Sequence, residues 1–263
     1  MLLLIDAGNS MVKWAMVGAD ASGSPGRAPW FANGEQSYSA GRALAAVWQS
    51  ALRGGRIKRV IVSNVAGKGT RDMLSEQIDP LDSPRVEWFE SARFLAGVRN
   101  GYAEPAQLGS DRFASLIGAR TLFPDTNLVV VTCGTATTID VLTKEGFFPG
   151  GLILPGLRLM ASALADNTAL LPAMPDTSGF FSALATDTVH AIGSGCLTAQ
   201  AGAIEYTVRV HAAQLMDVTC LLSGGASGQI ASCLSIPFQV VDNLVMIGLH
   251  VADAEKNRLE QTC

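Results

Sequence analysis

The sequence has little charge, few histidines and no long apolar segment. Charged residues make up 16% of the 263 residues and hydrophobic residues 48%, a balance that excludes an intrinsically disordered chain. The apolar runs that lie near Leu2, Leu128 and Leu152 are all much shorter than the ~20 residues that a helix needs to cross a bilayer. Because the first run reaches Asp6 without a basic leader, we expect neither a signal peptide nor a membrane span.

Cysteine pairs, metal-ligand clusters and a basic surface are missing too. The five cysteines have no CxxC spacing, which predicts free thiols and a cytoplasmic protein. The three histidines are isolated on helical patterns and indicate no metal site built from histidine. Since the formal net charge is −4 and the basic residues are scattered, we expect no nucleic-acid partner.

Two common nucleotide-binding loops are absent. The sequence contains no GxxxxGKS/T segment and no GxGxxG segment that opens a helix after a strand, so a P-loop protein and a dinucleotide-binding fold are both unsupported. Glycine turns between strands are present instead. Residues 6–10 separate apolar strands predicted over 2–6 and 11–17, and residues 132–137 separate strands predicted over 127–132 and 137–143.

These two turns have the chemistry of a phosphate site. Successive backbone N–H groups of a tight turn can hold phosphate oxygens, and Gly8 and Gly134 would let a ligand approach the backbone closely. Asp6 can hold a hydrated Mg²⁺ beside the phosphates, while Lys13 can return along the second strand as a point charge. Each hairpin taken alone is also consistent with an ordinary β-turn.

A third glycine turn, at Gly224 and Gly225, follows a strand predicted over 218–222 and precedes a helix. It suits a nucleotide base or ribose, and it is equally a plain strand-helix connection. The order of the three turns along the chain resembles the sugar kinase, Hsp70 and actin superfamily. That resemblance implies two α/β domains with a cleft between them, here residues 1–120 with the first hairpin and 121–263 with the second hairpin and the Gly-Gly turn.

The rest of the pattern alternates helices and strands. Apolar periodicity predicts helices over 40–52, 70–78, 188–216 and 243–257, and strands over 59–65, 85–89 and 150–154. Ser110 is expected to cap a helix, and Pro155 to begin another. Two proline-containing segments, 23–34 and 170–181, are expected to be irregular.

The segment Gly109, Ser110, Asp111 and Arg112 carries a further chemical signal. In the ordinary interpretation, Asp111 complements the helix dipole and Arg112 faces solvent. In the functional one, Asp111 accepts the proton of an attacking hydroxyl while Arg112 holds a substrate carboxylate in a fork. Phosphoryl transfer through a loose transition state needs mainly positioning, so a weak base is tolerated.

Four segments together resemble the type III pantothenate kinases, a family also named Bvg accessory factor. They are DAGNSMVK at 6–13, GSDR at 109–112, CGTATT at 133–138 and GGLILPG at 150–156. The resemblance implies two ribonuclease H-like domains, a homodimer and ATP-dependent phosphorylation of pantothenate to 4′-phosphopantothenate, the first step of coenzyme A biosynthesis.

The resemblance also implies roles for individual residues. ATP, with Mg²⁺ near Asp6, would be bound by Asp6, Ala7, Gly8, Asn9, Ser10, Met11, Val12, Lys13 and Thr135. Gly224 and Gly225 would join them because of their place in the order of glycine turns along the chain. Pantothenate would be bound by Tyr102, Gly109, Ser110, Asp111, Arg112 and Thr188. Asp111 would be the proton acceptor. Thr186 lies close to Thr188 in sequence, so which threonine contacts pantothenate stays open.

One residue departs from the family's pattern. The family has Asp where this chain has Thr132, and that Asp resembles a ligand for a monovalent cation such as K⁺ or NH₄⁺. A neutral hydroxyl lacks the charge to replace it fully. Either no such ion is needed, or backbone carbonyls or a partner subunit hold it.

Two other functions remain open at the level of sequence. A related sugar kinase would need hydroxyl-binding groups instead of an arginine clamp for a carboxylate. A non-catalytic nucleotide-binding accessory protein would keep the hairpins but could lose the base, and the presence of Asp111 argues against it. The small residues of the helix predicted from Thr188 suit a dimer contact or internal packing alike.

Overall fold

The structure, a computed structural model, describes residues 1–18, 30–38, 43–52, 55–173, 182 and 184–262. Its strands are β1 (Leu2–Ala7), β2 (Met11–Val17), β3 (Trp30–Ser37), β4 (Arg59–Asn64), β5 (Arg85–Trp88), β6 (Phe94–Leu95), β7 (Val98–Asn100), β8 (Asn127–Cys133), β9 (Ala136–Leu142), β10 (Phe147–Phe148), β11 (Gly150–Pro155), β12 (Val218–Ser223) and β13 (Phe238–Val240). Its α-helices are α1 (Leu44–Ala51), α2 (Lys68–Ile78), α3 (Ser110–Leu122), α4 (Leu157–Asn167), α5 (Thr188–Leu215), α6 (Ser227–Ala231) and α7 (Leu244–Thr262). Within the described ranges, no helix is long and apolar enough to cross a membrane.

The chain divides into two compact units, Met1–Pro124 together with Leu244–Cys263, and Asp125–Asn243. The sheet of the first unit has the order β3-β2-β1-β4-β5, with β1 to β3 antiparallel and β4 and β5 parallel to β1. The second unit repeats this order as β11-β9-β8-β12-β13. Its first three strands are again antiparallel and its last two parallel to β8. Each glycine hairpin therefore joins the first two strands of its own sheet, which accounts for their similarity in sequence.

Buried strands packed against amphipathic helices form the core of each unit. The central strands β1 and β4 are largely apolar, as expected for strands with a neighbour on both sides. One face of this first sheet packs against Trp48 of α1 and Leu74 of α2. In the second unit, Val129 and Val131 of β8 share a cluster with Ile192 of α5.

The C-terminal helix α7 belongs to the first unit because it packs very closely on α3. A Cβ added at Gly248 would lie 1.8 Å from the carbonyl oxygen of Ala114, and one added at Gly118 would lie 2.4 Å from that of Leu244. Two glycines on facing helices thus let the two backbones touch. The prediction that residues 121–263 form one domain missed this long-range contact.

Charged side chains also attach α7 to the first sheet. Arg59 of β4 forms an ion pair with Asp253 and donates to Oδ1 of Asn257 at 2.9 Å, and Lys256 pairs with Glu87 of β5. The pairs are partly buried, so solvent screens them less than surface pairs.

Most predicted elements are present, with a few corrections. Residues 30–34, expected to be irregular, belong to β3, while 23–29 lie outside the described residues. Ser110 is not an N-cap, because α3 begins after Gly109 without a capping side chain. Pro155 ends β11 instead of beginning α4. The predicted loop over 170–181 is described only as far as residue 173.

Candidate active site

The first hairpin forms a tight turn at the carboxyl end of β1. Asp6 lies opposite Lys13 in the strand register of the hairpin, and Gly8 N donates to the carbonyl of Met11 at 3.1 Å. A Cβ at Gly8 would meet only that carbonyl, at an ordinary 3.6 Å. Packing within the described protein therefore does not require glycine there, and the open backbone leaves room for a ligand.

Asp6, the carboxyl of the first hairpin, has a strongly shifted pKa. Burial and, to a smaller extent, the charge of Asp111 raise its pKa to about 7, and the charge of Lys13 opposes the rise. Among the described residues, the buried Oδ1 of Asp6 has no hydrogen-bond partner. A buried carboxylate oxygen without a donor is costly unless a cation or a proton satisfies it, so Asp6 fits a role beside Mg²⁺.

Asp6 would be a protein carboxylate of such a site, with few protein ligands beside it. Within the described ranges, no group of three or more His, Cys, Asp or Glu side chains is arranged to hold a metal ion. Mg²⁺ is commonly bound through one or two carboxylates together with substrate phosphates and water. The described residues therefore suit a metal that arrives with the nucleotide.

The start of α3 carries the predicted base. The Oδ1 of Asp111 accepts a hydrogen bond from Arg112 N at 2.8 Å. A Cβ at Gly109 would lie 2.6 Å from this oxygen, so glycine is needed for the carboxylate to occupy its position. Burial raises the pKa of Asp111, and the backbone N–H and the charge of Arg112 both oppose this rise.

Arg112 and Tyr102 form a second pair at the same place. Nη1 of Arg112 donates to the Tyr102 hydroxyl at 3.1 Å, and the guanidinium carbon lies 5.8 Å from the centre of the tyrosine ring. Arg112 is 6% exposed. The predicted solvent-facing alternative for Arg112 is therefore wrong, and its buried guanidinium is held by an aromatic hydroxyl.

Two residues at this site were not predicted. Ser63 lies opposite Asp6 in the parallel β1–β4 pair, and its Oγ lies 2.8 Å from Oγ of Ser110. The hydroxyl of Tyr38 donates to the carbonyl of Gly8 at 2.7 Å. Ser63 had a detectable signal, because it lies at the carboxyl end of a predicted parallel strand, where ligand-binding groups collect. Tyr38 had none.

In the second unit, the second hairpin is enclosed by two further glycine turns. Gly134 N donates to the carbonyl of Ala136 at 3.0 Å, and Gly156 N to that of Thr135 at 2.9 Å. A Cβ at Gly156 would lie 2.2 Å from the carbonyl oxygen of Gly134, and one at Gly224, where φ is +93°, would lie 2.4 Å from that of Cys133. The structure thus brings the predicted Thr135 and Gly224 turns together.

Thr132 lies in a row of hydroxyl side chains. It pairs with Thr138 of β9 on one side and with Ser223 of β12 on the other. Side chains of directly paired residues point to the same face of a sheet. Three neutral hydroxyls therefore share this face where the resembled family has an acidic residue.

The predicted pantothenate contact Thr188 lies in the second unit. It is the first residue of α5, whose N-terminus is capped by the Asp187 side chain accepting from His190 N at 3.0 Å. Thr188 lines an apolar cavity of about 640 Å³ with Pro155, Ile192 and Cys196. Thr135, Gly224 and Gly225 do not line this cavity.

Comparison with known proteins relates most of the chain to one family of kinases. Residues 2–210 match the model of the family described as type III pantothenate kinase. The type III pantothenate kinase of Herminiimonas arsenicoxydans is 49% identical to this chain over 253 residues, which cover 95% of this chain and 96% of that protein.

Solved structures share the fold at low sequence identity. A candidate transcriptional activator of the Baf family from Campylobacter jejuni has a TM-score of 0.60 at 18% identity, covering 97% of this chain and 99% of that one. A candidate 2-dehydro-3-deoxygalactonokinase from Sinorhizobium meliloti has a TM-score of 0.60 at 16% identity, covering 96% and 98%. Such likeness shows the fold alone, and it confirms the predicted α/β fold.

Proposed function

The chain belongs to the type III pantothenate kinase family, and on that premise we propose how its own residues carry out the reaction. The resemblance inferred from the four sequence segments is confirmed. The protein is a kinase that phosphorylates pantothenate with ATP in coenzyme A biosynthesis. Kinases of this family use ATP with Mg²⁺ as its usual partner.

Asp111 is the proton acceptor. The substrate hydroxyl oxygen forms a bond to the γ-phosphorus of ATP, the bond from that phosphorus to the β-γ bridging oxygen breaks, and ADP leaves. The hydroxyl proton passes to the Asp111 carboxylate. Burial that raises the pKa of Asp111 makes it a better base than an exposed aspartate, which supports the role.

Arg112 and Tyr102 bind the carboxylate of pantothenate. A guanidinium presents parallel N–H donors that match a carboxylate, and the Tyr102 hydroxyl fixes the orientation of this fork. The backbone of Gly109 and Ser110 forms the rest of the pantothenate site. The observation that carries this assignment is the adjacency of a partly buried carboxylate and a buried guanidinium at the start of α3.

The first hairpin, Asp6 to Lys13, binds ATP. The open backbone of the turn around Gly8 suits the approach of phosphate oxygens, and the Lys13 ammonium adds positive charge. Mg²⁺, when bound with ATP, neutralises phosphate charge as it develops in the transition state. Asp6, whose buried Oδ1 has no hydrogen-bond partner among the described residues, would hold this ion.

Three positions of the second unit are proposed as substrate contacts. Thr135 binds ATP phosphates and the Gly224-Gly225 turn binds the nucleoside, supported by the contact of both turns with Cys133. Thr188 binds pantothenate, and its exposed position at the start of α5 is compatible with that role. The row of hydroxyls at Thr132 supports weak dependence on a monovalent cation.

The protein works as a cytoplasmic homodimer without a nucleic-acid or membrane partner. Free thiols at the four described cysteines support a reducing compartment. Exposed apolar side chains on α4 and α5, including Leu159, Leu164 and Val189, support a contact with a second copy.

A coupled ADP-release assay tests the function directly. We expect ADP release that depends on pantothenate and produces one phosphorylated product per ADP, and no stimulation by glucose. Stimulation by sugars but not pantothenate would identify a sugar kinase. ATP binding without turnover on any alcohol would identify a non-catalytic nucleotide-binding protein.

A further inference from the structure

Arg93 binds the loop that carries Tyr102 through three hydrogen bonds to backbone carbonyls. Its Nη1 donates to the carbonyls of Asn100 at 3.2 Å and Tyr102 at 2.7 Å, and its Nη2 donates to that of Ala103 at 2.8 Å. A guanidinium holds its donors in a rigid planar arrangement. One side chain therefore fixes the directions of three peptide groups.

A short hairpin brings Arg93 to this loop. β6 and β7 are antiparallel and joined by a two-residue turn with both φ angles positive, so Asn100 N donates to the carbonyl of Arg93 at 3.0 Å. Asn100 is buried and orders the loop from inside, accepting from Tyr102 N at 3.1 Å and donating to the carbonyl of Pro105 at 3.1 Å. Arg93 and Asn100 thus hold the loop from two sides.

This loop carries Tyr102, whose hydroxyl accepts a hydrogen bond from Nη1 of Arg112 at 3.1 Å. We infer that Arg93 is a positioning residue for the acceptor substrate, since it holds the backbone of Tyr102 where the hydroxyl can orient the Arg112 fork. This inference rests on the proposed roles of Tyr102 and Arg112. Arg93 is itself exposed, so its loss releases the loop without opening the apolar core.

The expected effect of Arg93→Ala falls on acceptor binding. Several hydrogen bonds from a charged donor are lost, so the KM for pantothenate is expected to rise about tenfold or more. The KM for ATP and kcat at saturating pantothenate stay unchanged. Arg93→Lys keeps the charge but loses the planar fork, and is expected to recover only part of the affinity. Arg258→Ala, which removes an exposed arginine of α7, is the control and keeps wild-type kinetics.

Two further measurements separate positioning from a general structural or electrostatic role. Hydrogen exchange of the Tyr102 amide is expected to accelerate in Arg93→Ala while the melting temperature stays the same. In a double-mutant cycle, Arg93→Ala should add little to Tyr102→Phe, because both act through the same hydroxyl.

Three outcomes would overturn the inference. They are an unchanged KM for pantothenate in Arg93→Ala, full recovery in Arg93→Lys, and additive effects of Arg93→Ala and Tyr102→Phe. Failure of the proposed function is distinguishable, because the unmodified protein would then show no pantothenate-dependent ADP release.

Discussion

Nη1 of Arg112 donates to the hydroxyl of Tyr102 at 3.1 Å. The tyrosine therefore sets the orientation of a buried guanidinium, and orientation distinguishes arginine from lysine as a carboxylate ligand. Arg112→Lys is expected to raise the KM for pantothenate roughly 10- to 100-fold, because a hydrogen bond to a charged group contributes about 1.5–3 kcal/mol. Steady-state kinetics with each substrate varied is the measurement. An equal rise in the KM for ATP would indicate a structural role instead.

Asp111→Asn is expected to lower kcat by about 10²–10⁴-fold, since a positioned general base contributes that much. The amide keeps the shape and can still accept from Arg112 N, so pantothenate binding measured by calorimetry should persist. Asp242→Asn removes an exposed carboxylate of the second unit and serves as the control. A wild-type kcat in Asp111→Asn would remove Asp111 from the mechanism.

Asp6→Asn is expected to stabilise the free protein at pH 8 much more than at pH 5. The pKa of Asp6 is about 7 in the folded state, above the ~3.9 of an unfolded aspartate. Between these values the folded state keeps a proton that the unfolded state has lost, so the Asp6 contribution to stability falls as pH rises. Because asparagine does not titrate, the Asp6→Asn variant does not lose stability in this way as the pH rises.

The check for Asp6 is calorimetric unfolding at both pH values without nucleotide or Mg²⁺. The same variant should bind Mg·ATP poorly, because it lacks the anionic oxygen. Equal changes in melting temperature at pH 5 and pH 8 would contradict the raised pKa.

Thr132→Asp is expected to increase the dependence of activity on K⁺ or NH₄⁺. The unmodified row of hydroxyls at Thr132, Thr138 and Ser223 lacks the negative charge that holds a monovalent ion. The measurement is a rate series at constant ionic strength, with K⁺ replaced by a bulky organic cation. A steep K⁺ requirement in the unmodified protein would show that other groups build the ion site.

Gly248→Ala and Gly69→Ala are expected to change stability in opposite directions. A Cβ at Gly248 would lie 1.8 Å from the Ala114 carbonyl oxygen, whereas a Cβ at Gly69, in α2, meets no neighbour within 4 Å. Overpacking costs typically 1–3 kcal/mol or more, while alanine in an open helical position gains roughly 0.5–1 kcal/mol. Denaturant unfolding of both variants is the measurement, and similar shifts in both would contradict the close α3–α7 contact.

Local chemistry was predictable from the sequence, while contacts between distant segments were not. The strands around Gly8 and Gly134 are apolar runs joined by turn residues, and both signals are local. The roles proposed for Asp111 and Arg112 came from a four-residue segment together with a family resemblance. Tyr38 approaches the first hairpin only through a side-chain contact with the carbonyl of Gly8, which no local pattern encodes.

The errors have the same origin. Pro155 suits the first turn of a helix, but its pairing with Ala136 keeps it in β11. Ser110 suits an N-cap, but its hydroxyl pairs with that of Ser63. In both cases a tertiary contact outweighed a local preference.

The packing of Gly248 against Ala114 also constrains the order in which the chain folds during synthesis. Residues 125–243 form a continuous unit and can collapse as soon as they leave the ribosome. The unit that begins at Met1 is completed only by α7, which is translated after residues 125–243 and fills the side of α3 that Gly118 leaves open. A chain shortened to residue 243 would therefore display a folded second unit beside a first unit in which α3 is exposed, the state most open to chaperones and proteases.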